Sequence, residues 1–245
     1  MEAKHFASGF LAVSGGILAV WGFLHTRSDY INLGLAGLFL AALIITLKSS
    51  RYVKAETAEI LLKSHSNLRD SLLRGLTLEG KAVFLPPYRN LPRGGLFLPL
   101  RENFDLDPAR LDEETLFLTD VPDERAMGLL IPGYGFELLE KYEEHLEGPL
   151  TSVPEVESTA GAVLKSLGLA ERVYIEENEG LRIVVKPSFE HSTDGCEKIP
   201  DPVCASVLLG IAKASGEVVL VDSVKESKHG VEILARKAGR IEEWM

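Results

Sequence analysis

The sequence predicts an α+β protein in which an N-terminal transmembrane helical hairpin is followed by a soluble α+β domain ending in two αββ units. Three observations predict it: two long uncharged apolar stretches near the N-terminus, short strand-like runs bounded by proline or glycine, and two similar helix–strand–strand patterns near the C-terminus. We expect four segments: a hairpin at 1–49, a juxtamembrane helix at 50–79, a β-rich subdomain with an acidic helix at 80–149, and a duplicated αββ subdomain at 150–245.

The hairpin is predicted from two stretches without charged residues, 6–24 and 30–47. A helix needs about 20 apolar residues to cross a bilayer core of about 30 Å, and about 17 are enough with little tilt. The first stretch lacks the cleavage site of a signal peptide, and neither stretch has the polar face of a soluble core helix. The short link between them requires an antiparallel hairpin. Small residues that would allow close packing are Ser8, Ala12 and Gly16 in the first stretch and Gly34 and Gly37 in the second.

Basic residues beside the two stretches predict the orientation. Lys4, Lys48, Arg51 and Lys54 lie on the side of the two chain ends, and Arg27 lies in the link. Because cytoplasmic flanks carry the excess of Lys and Arg, we expect both termini and the domain in the cytoplasm, at the cell membrane. The lipid bilayer is then the first expected partner.

The charge is divided unevenly along the chain, whose formal net charge is −10. Residues 1–54 hold five basic and two acidic residues, and the remainder holds 21 basic and 34 acidic residues. An acidic domain repels phosphate backbones, so we expect no nucleic-acid partner. The two cysteines argue against a disulfide framework. The absence of glutamine, with abundant Glu, Lys and Arg, is a thermophile-like composition.

The middle of the chain predicts one helix and two strand pairs. Apolar residues at three- and four-residue steps predict a helix over 51–75, which either packs on its own domain or forms a dimerising stalk. Strands are predicted at 82–85 with 95–98 and at 115–119 with 127–131. Because proline closes several of them, we expect short strands at sheet edges.

A glycine-containing turn, Pro132-Gly133-Tyr134-Gly135, opens a predicted helix at 136–146. Strand, glycine loop and helix in this order are typical of phosphate-binding loops. However, the third glycine of a dinucleotide fingerprint and the lysine of a P-loop are both missing. Glu137 in the first turn would also compete with an anion for the positive helix end. We therefore expect no nucleotide here, and no cofactor elsewhere.

The last hundred residues contain two similar patterns. The first has a helix at 154–167 and strands at 172–176 and 181–186, and the second has a helix at 202–214 and strands at 217–222 and 231–236. Each helix ends in a glycine, Gly168 or Gly216, which is the favoured C-terminal stop. Two αββ units can share one antiparallel sheet with both helices on the same face.

The loop that joins the two units holds the candidate site residues His191, Asp194 and Cys196, and Cys204 follows in the next helix. One hypothesis is a metal or thiol site with Cys204 activated by the helix N-terminus. Against it, the spacing of the cysteines differs from the C-x2-4-C of structural zinc sites. Cys204 is more simply explained as a small buried helical residue. No catalytic residue is predicted, because the sequence contains no G-x-S-x-G, H-E-x-x-H or kinase motif.

Two short stretches carry a resemblance to a known family. They are Gly128-Leu129-Leu130-Ile131-Pro132-Gly133-Tyr134-Gly135 and Asp201-Pro202-Val203-Cys204-Ala205-Ser206, which opens a small-residue helix. Together with the two apolar stretches, the chain resembles an uncharacterised family of archaeal membrane-anchored proteins with an N-terminal two-helix hairpin. The resemblance implies this layout and no activity.

The function that these features favour is binding rather than catalysis. We expect a membrane-tethered cytoplasmic scaffold or sensor domain, which self-associates through the spans or the juxtamembrane helix or binds a protein partner. The alternative is a membrane-bound enzyme, or a metal or thiol site, that uses the loop at 187–204. A third function is a hairpin that serves as a small subunit of a transporter or another membrane complex. The spans carry no charge and only Asn32 is polar beyond hydroxyls, which disfavours an ion pathway.

Overall fold

A computed structural model describes residues 2–46, 55–119, 123–188 and 193–244. By its internal contacts the chain divides into two units, Met1–Tyr52 and Val53–Met245. Helix and antiparallel sheet are both present, which confirms the α+β class.

The first unit is a pair of helices, α1 (Glu2–Leu24) and α2 (Ser28–Thr46), packed against each other. Their close approach requires glycine, because a Cβ on Gly34 would lie 2.6 Å from the carbonyl oxygen of Gly15. The buried small residues recur every seven positions. They are Ser8, Gly15 and Gly22 in α1 and Gly34 and Ala41 in α2. A seven-residue repeat keeps one seam of a helix facing its partner. The predicted four-residue spacing is therefore wrong at Gly16, which faces open space.

Large apolar side chains cover the outward faces of α1 and α2. Phe6 is 80% exposed, Phe23 is 76% exposed and Phe39 is 65% exposed. Among the described helices, the segment Phe6–Leu24 is long and apolar enough to cross a membrane, and Ser28–Ile44 is a shorter apolar segment. The predicted second span ends at residue 47, outside the described residues. An N-terminal apolar helix of this kind fits either a membrane span or a signal sequence.

The second unit begins with α3 (Ala55–Leu76), followed by the strands of a single sheet. Residues 50–54 of the predicted juxtamembrane helix lie outside the described residues. Within the described part of the chain, eight strands form an antiparallel sheet in the order β3-β4-β2-β1-β7-β8-β6-β5. They are β1 (Val83–Leu85), β2 (Gly95–Pro99), β3 (Phe117–Leu118), β4 (Gly128–Pro132), β5 (Ala170–Glu177), β6 (Leu181–Pro187), β7 (Glu217–Ser227) and β8 (Gly230–Arg240).

The two strand-containing segments of the sequence join through β1 and β7. Val83 of β1 lies opposite Leu220 of β7, so residues 80–149 and 150–245 contribute strands to the same sheet. The expectation that proline-ended strands lie at sheet edges is wrong for β1, β2 and β4, which are interior. Pro99 and Pro132 are the last residues of β2 and β4, and a missing N–H there leaves the interior of the ladder intact.

Three helices cover one face of the sheet: α4 (Phe136–Leu146), α5 (Val153–Leu167) and α6 (Pro202–Ser215). Of the three, α6 is the most deeply placed, with ten of its residues buried. It is therefore a core helix of the domain, although it is a short apolar helix. Both α5 and α6 begin with proline in the first turn and end at a glycine in the left-handed region, Gly168 or Gly216.

The opposite face of the sheet is covered over only part of its width. Leu106, Leu111, Ile241 and neighbouring residues pack on the side formed by β1, β2, β4 and the start of β7. The other side of this face, on β5, β6 and β8, is open to solvent, with Tyr174 and Leu234 both exposed. The sheet thus has a closed part and an open part.

Candidate functional site

The site predicted from the sequence lies at the start of α6, where Asp201 caps the helix. Oδ1 of Asp201 accepts hydrogen bonds from the backbone N–H groups of Val203 at 2.9 Å and Cys204 at 3.1 Å. Pro202, at the first helical position, has no N–H that needs a partner. Because Asp201 is only 5% exposed, the positive end of α6 already holds an internal carboxylate.

Both cysteines are buried beside this carboxylate. Burial raises the pKa of the Cys204 thiol well above its ordinary value, and the charge and hydrogen bond of Asp201 raise it further. Burial, and then the charge of Asp201, raise the pKa of Cys196 to about 11, although the charge of Arg69 acts in the opposite direction. A nucleophilic cysteine requires a lowered pKa. The shift at Cys204 is therefore opposite in direction to the one that the activation hypothesis requires.

An arginine from α3 reaches the same cluster. The Arg69 side chain is 2% exposed, and its Nη1 donates a hydrogen bond to Sγ of Cys196 at 3.1 Å. Its Nε donates to Oδ1 of Asp70 at 3.1 Å, and its Nη2 donates to Oγ of Ser66 at 3.0 Å. Hydrogen bonds from a charged group are stronger than neutral ones. Arg69 therefore stabilises the contact between α3 and the segment that precedes α6.

Tyr134 forms a second tie between α3 and the start of α6. Its hydroxyl donates to the carbonyl oxygen of Pro200 at 2.5 Å, and Nε2 of His65 lies 2.7 Å from the same hydroxyl oxygen. The rings of His65 and Tyr134 are stacked with centroids 6.0 Å apart. Burial raises the pKa of Tyr134, so the hydroxyl stays protonated.

The glycine loop before α4 has a packing role. Gly135 has a φ of 91°, and a Cβ on it would lie 2.7 Å from the backbone nitrogen of Ser206 in α6. Two backbones therefore touch at this point, and only a residue without a side chain fits. This contact accounts for the glycine without a bound phosphate.

The structure brings together only part of the predicted set. Cys196 and Cys204 share the surroundings of Asp201, Asp194 is exposed, and His191 lies outside the described residues. Within the described ranges, no group of three His, Cys, Asp or Glu side chains is arranged to hold a metal ion.

Sequence reasoning missed Arg69, His65, Tyr134 and the capping role of Asp201. An Asp-Pro pair before an apolar helix is a recognisable start signal, so the cap could have been found. Arg69 is separated from Cys196 by 127 positions, and no local pattern connects them.

A second candidate site is a cavity of about 660 Å³ on the open part of the sheet. Among the described residues, its lining contains five basic side chains and one carboxylate. The basic residues are Lys165, Arg172, Arg182, Lys186 and Lys228, and the carboxylate is Glu171. This site was not predicted, because the acidic composition of the domain conceals a local excess of positive charge.

A family model described as a domain of unknown function (DUF7982) matches residues 3–236. The chain belongs to this family. The DUF7982 match extends from α1 into β8 and so covers parts of both units. The match confirms membership in an uncharacterised family, which is one part of the resemblance expected from the sequence. No curated protein and no solved structure matches the chain.

We expect both thiols of this DUF7982 chain to be unreactive in the folded protein. Burial blocks access, and the raised pKa values leave little thiolate at a pH of about 8. Iodoacetamide labelling, followed by mass spectrometry, should be about 100-fold slower than for a free cysteine and complete after unfolding. Rapid labelling of Cys204 in the native protein would contradict this prediction and would favour a thiol site.

Proposed function

We propose that this protein is a membrane-tethered binding protein, with α1 and α2 as a two-span anchor and the second unit as a cytoplasmic scaffold or sensor domain. The observation that supports the anchor is the distribution of side chains in the hairpin. Glycines form the inner seam while phenylalanines and leucines face outward. Helix pairs in lipid use small residues at the contact, whereas an exposed apolar surface of this size is unfavourable in water.

The proposed orientation follows from the basic residues that flank the anchor. Lys4, Lys48, Arg51 and Lys54 outnumber Arg27 of the link, which supports a cytoplasmic location of both termini. A layout of this kind is also what the resemblance to archaeal membrane-anchored proteins implies.

Binding rather than catalysis is supported by the state of the predicted site. Its two thiols are buried and protonated, and its carboxylate caps a helix. A second copy of the chain is one proposed partner. Ile60, Leu61 and Leu68 of α3 are each more than half exposed, which supports association through this helix.

The alternative function is a membrane-bound enzyme, or a metal or thiol site, built on the loop at 187–204. The convergence of Cys196 and Cys204 on Asp201 is the observation in its favour. The thiol labelling described above separates the two functions, because an enzyme of this kind needs a reactive cysteine.

Membrane fractionation of cells that express the full chain tests the anchor. We expect the protein to sediment with membranes and to resist extraction by alkaline carbonate, because two apolar helices are held by the hydrophobic effect. Protease should digest the domain in inverted vesicles and spare it in right-side-out vesicles. Release by carbonate would overturn the anchor. A mature protein that lacks residues 1–24 would identify a signal sequence instead.

A further inference from the structure

The basic cavity on the open part of the sheet is built from four elements. The end of α5 contributes Lys165, β5 and β6 contribute their outward side chains, and the turn between β7 and β8 contributes Lys228 and His229. Its volume, about 660 Å³, lies within the usual range of small-molecule sites, roughly 300–1,000 Å³.

Two cations lie directly opposite each other in this cavity. Arg172 of β5 is the cross-strand partner of Lys186 of β6. Like charges in directly opposite positions destabilise a sheet. Glu171 forms an ion pair with Lys186. Hydrogen bonding and charge from Lys186, followed by the charges of Arg172 and Lys165, lower the pKa of Glu171. One carboxylate therefore faces three cations.

The remaining cation on β6 is already neutralised. Arg182 forms ion pairs with both Glu176 and Glu232. Lys165, Arg172 and Lys228, in contrast, form no ion pair with any residue that the structure describes. The excess of positive charge is thus concentrated at the end of the cavity near α5, in a chain whose net charge is −10.

The floor beside these cations is apolar. Tyr174 of β5 lies opposite Val184 of β6, and the tyrosine is 44% exposed. An exposed aromatic ring next to cations that have no ion pair among the described residues can hold the organic part of a charged ligand.

A glycine allows the turn between β7 and β8, the fourth element of the cavity, to approach β6. Gly230, at the start of β8, has a φ of 124°, and a Cβ on it would lie 2.7 Å from Cα of Lys186. The turn between β7 and β8 therefore lies directly against β6, which brings Lys228 and His229 to the cavity.

We propose that this cavity binds a phosphate group, with Lys165, Arg172 and Lys186 as its main cationic partners and the Tyr174–Val184 floor under the rest of the ligand. Arginine matches phosphate with two parallel hydrogen bonds, and lysine adds a point charge. The inference goes beyond the membrane-tethered function, because it does not depend on whether α1 and α2 span a bilayer.

Calorimetric titration of the full chain in neutral detergent tests the proposal with two probes, inorganic pyrophosphate and ATP. We expect at least one of them to bind with a Kd below about 1 mM. The double variant Arg172→Gln/Lys186→Gln should bind about 100-fold more weakly, since each lost charged hydrogen bond weakens binding about tenfold.

The matched control is Arg101→Gln/Lys141→Gln, which removes the same two charge types from exposed ion pairs elsewhere on the domain. It should leave binding unchanged within about twofold. If the first double variant fails to fold, Lys165→Gln replaces it, because Lys165 is an exposed residue in the last turn of α5. Absence of binding by both probes, or equal binding by the cavity and control variants, would overturn the proposal.

Two reconstitutions identify the source of the phosphate. The full chain is placed in nanodiscs of phosphatidylcholine or of phosphatidylglycerol, and the probe is titrated again. Binding in both nanodiscs supports a soluble phosphorylated ligand. Binding that is lost in phosphatidylglycerol alone supports a lipid headgroup in the same cavity, because the anionic lipid then competes with the probe.

Discussion

Replacing Gly135 with alanine is expected to lower the free energy of unfolding of the domain by about 2–5 kcal/mol. The backbone conformation at this residue costs other amino acids about 1–2 kcal/mol. The added Cβ would also lie 2.7 Å from the backbone nitrogen of Ser206, and relieving such overlap costs about 1–3 kcal/mol. Urea unfolding of the full chain in detergent, followed by circular dichroism, measures the change.

The same substitution at Gly161 provides the control with the opposite sign. Gly161 lies inside α5, and a Cβ on it meets nothing within 4 Å. Alanine there should raise the free energy of unfolding by about 0.5–1 kcal/mol, because glycine is a poor helix former. If Gly135→Ala proved as stable as the native chain, the packing explanation of the glycine loop would be wrong.

Replacing Arg69 with methionine is expected to lower the free energy of unfolding by about 2–4 kcal/mol. Methionine keeps much of the apolar stem but loses the hydrogen bonds to Cys196 and Ser66. It also removes a buried positive charge, whose effect on the pKa of Cys196 is opposite to that of Asp201. The same urea unfolding experiment measures the loss.

Arg74→Met is the matched control, because Arg74 lies on the same helix but is exposed. Its effect should stay below about 1 kcal/mol. If Arg69 acts on the charge of Asp201, the double variant Arg69→Met/Asp201→Asn should lose less stability than the sum of the single losses. Additive losses would show that Arg69 stabilises the domain through its hydrogen bonds and packing, without coupling to Asp201.

The helix ends of the second unit were predictable because local chemistry determines them. Phe136–Leu146 is both the predicted and the observed extent of α4. Pro202 and Gly216 limit α6 through a missing N–H and a left-handed backbone, and neither effect depends on distant residues. The position of β1 and β2 inside the sheet was not predictable in this way. It depends on the pairing of β1 with β7, which lies far along the chain.

The candidate sites were harder to predict for the same reason. The sequence identified Cys196 and Cys204 as neighbours, but the direction of their pKa shifts comes from burial and from Asp201, which only the fold supplies. The basic cavity requires the register that sets Arg172 against Lys186. A shift of one strand by one residue would turn its side chain to the other face of the sheet and separate Arg172 from Lys186.

The pairing of β1 with β7 has a consequence for the order of events during synthesis. The ribosome releases β1 long before β7. The pairing of Val83 with Leu220 at the centre of the sheet can therefore form only after β7 has been synthesised. Pairings between distant segments form slowly, and strands that are still unpaired are prone to aggregation. The apolar hairpin leaves the ribosome first. In the proposed topology, the nascent chain is therefore attached to the bilayer before its domain folds, so the sheet forms beside the membrane.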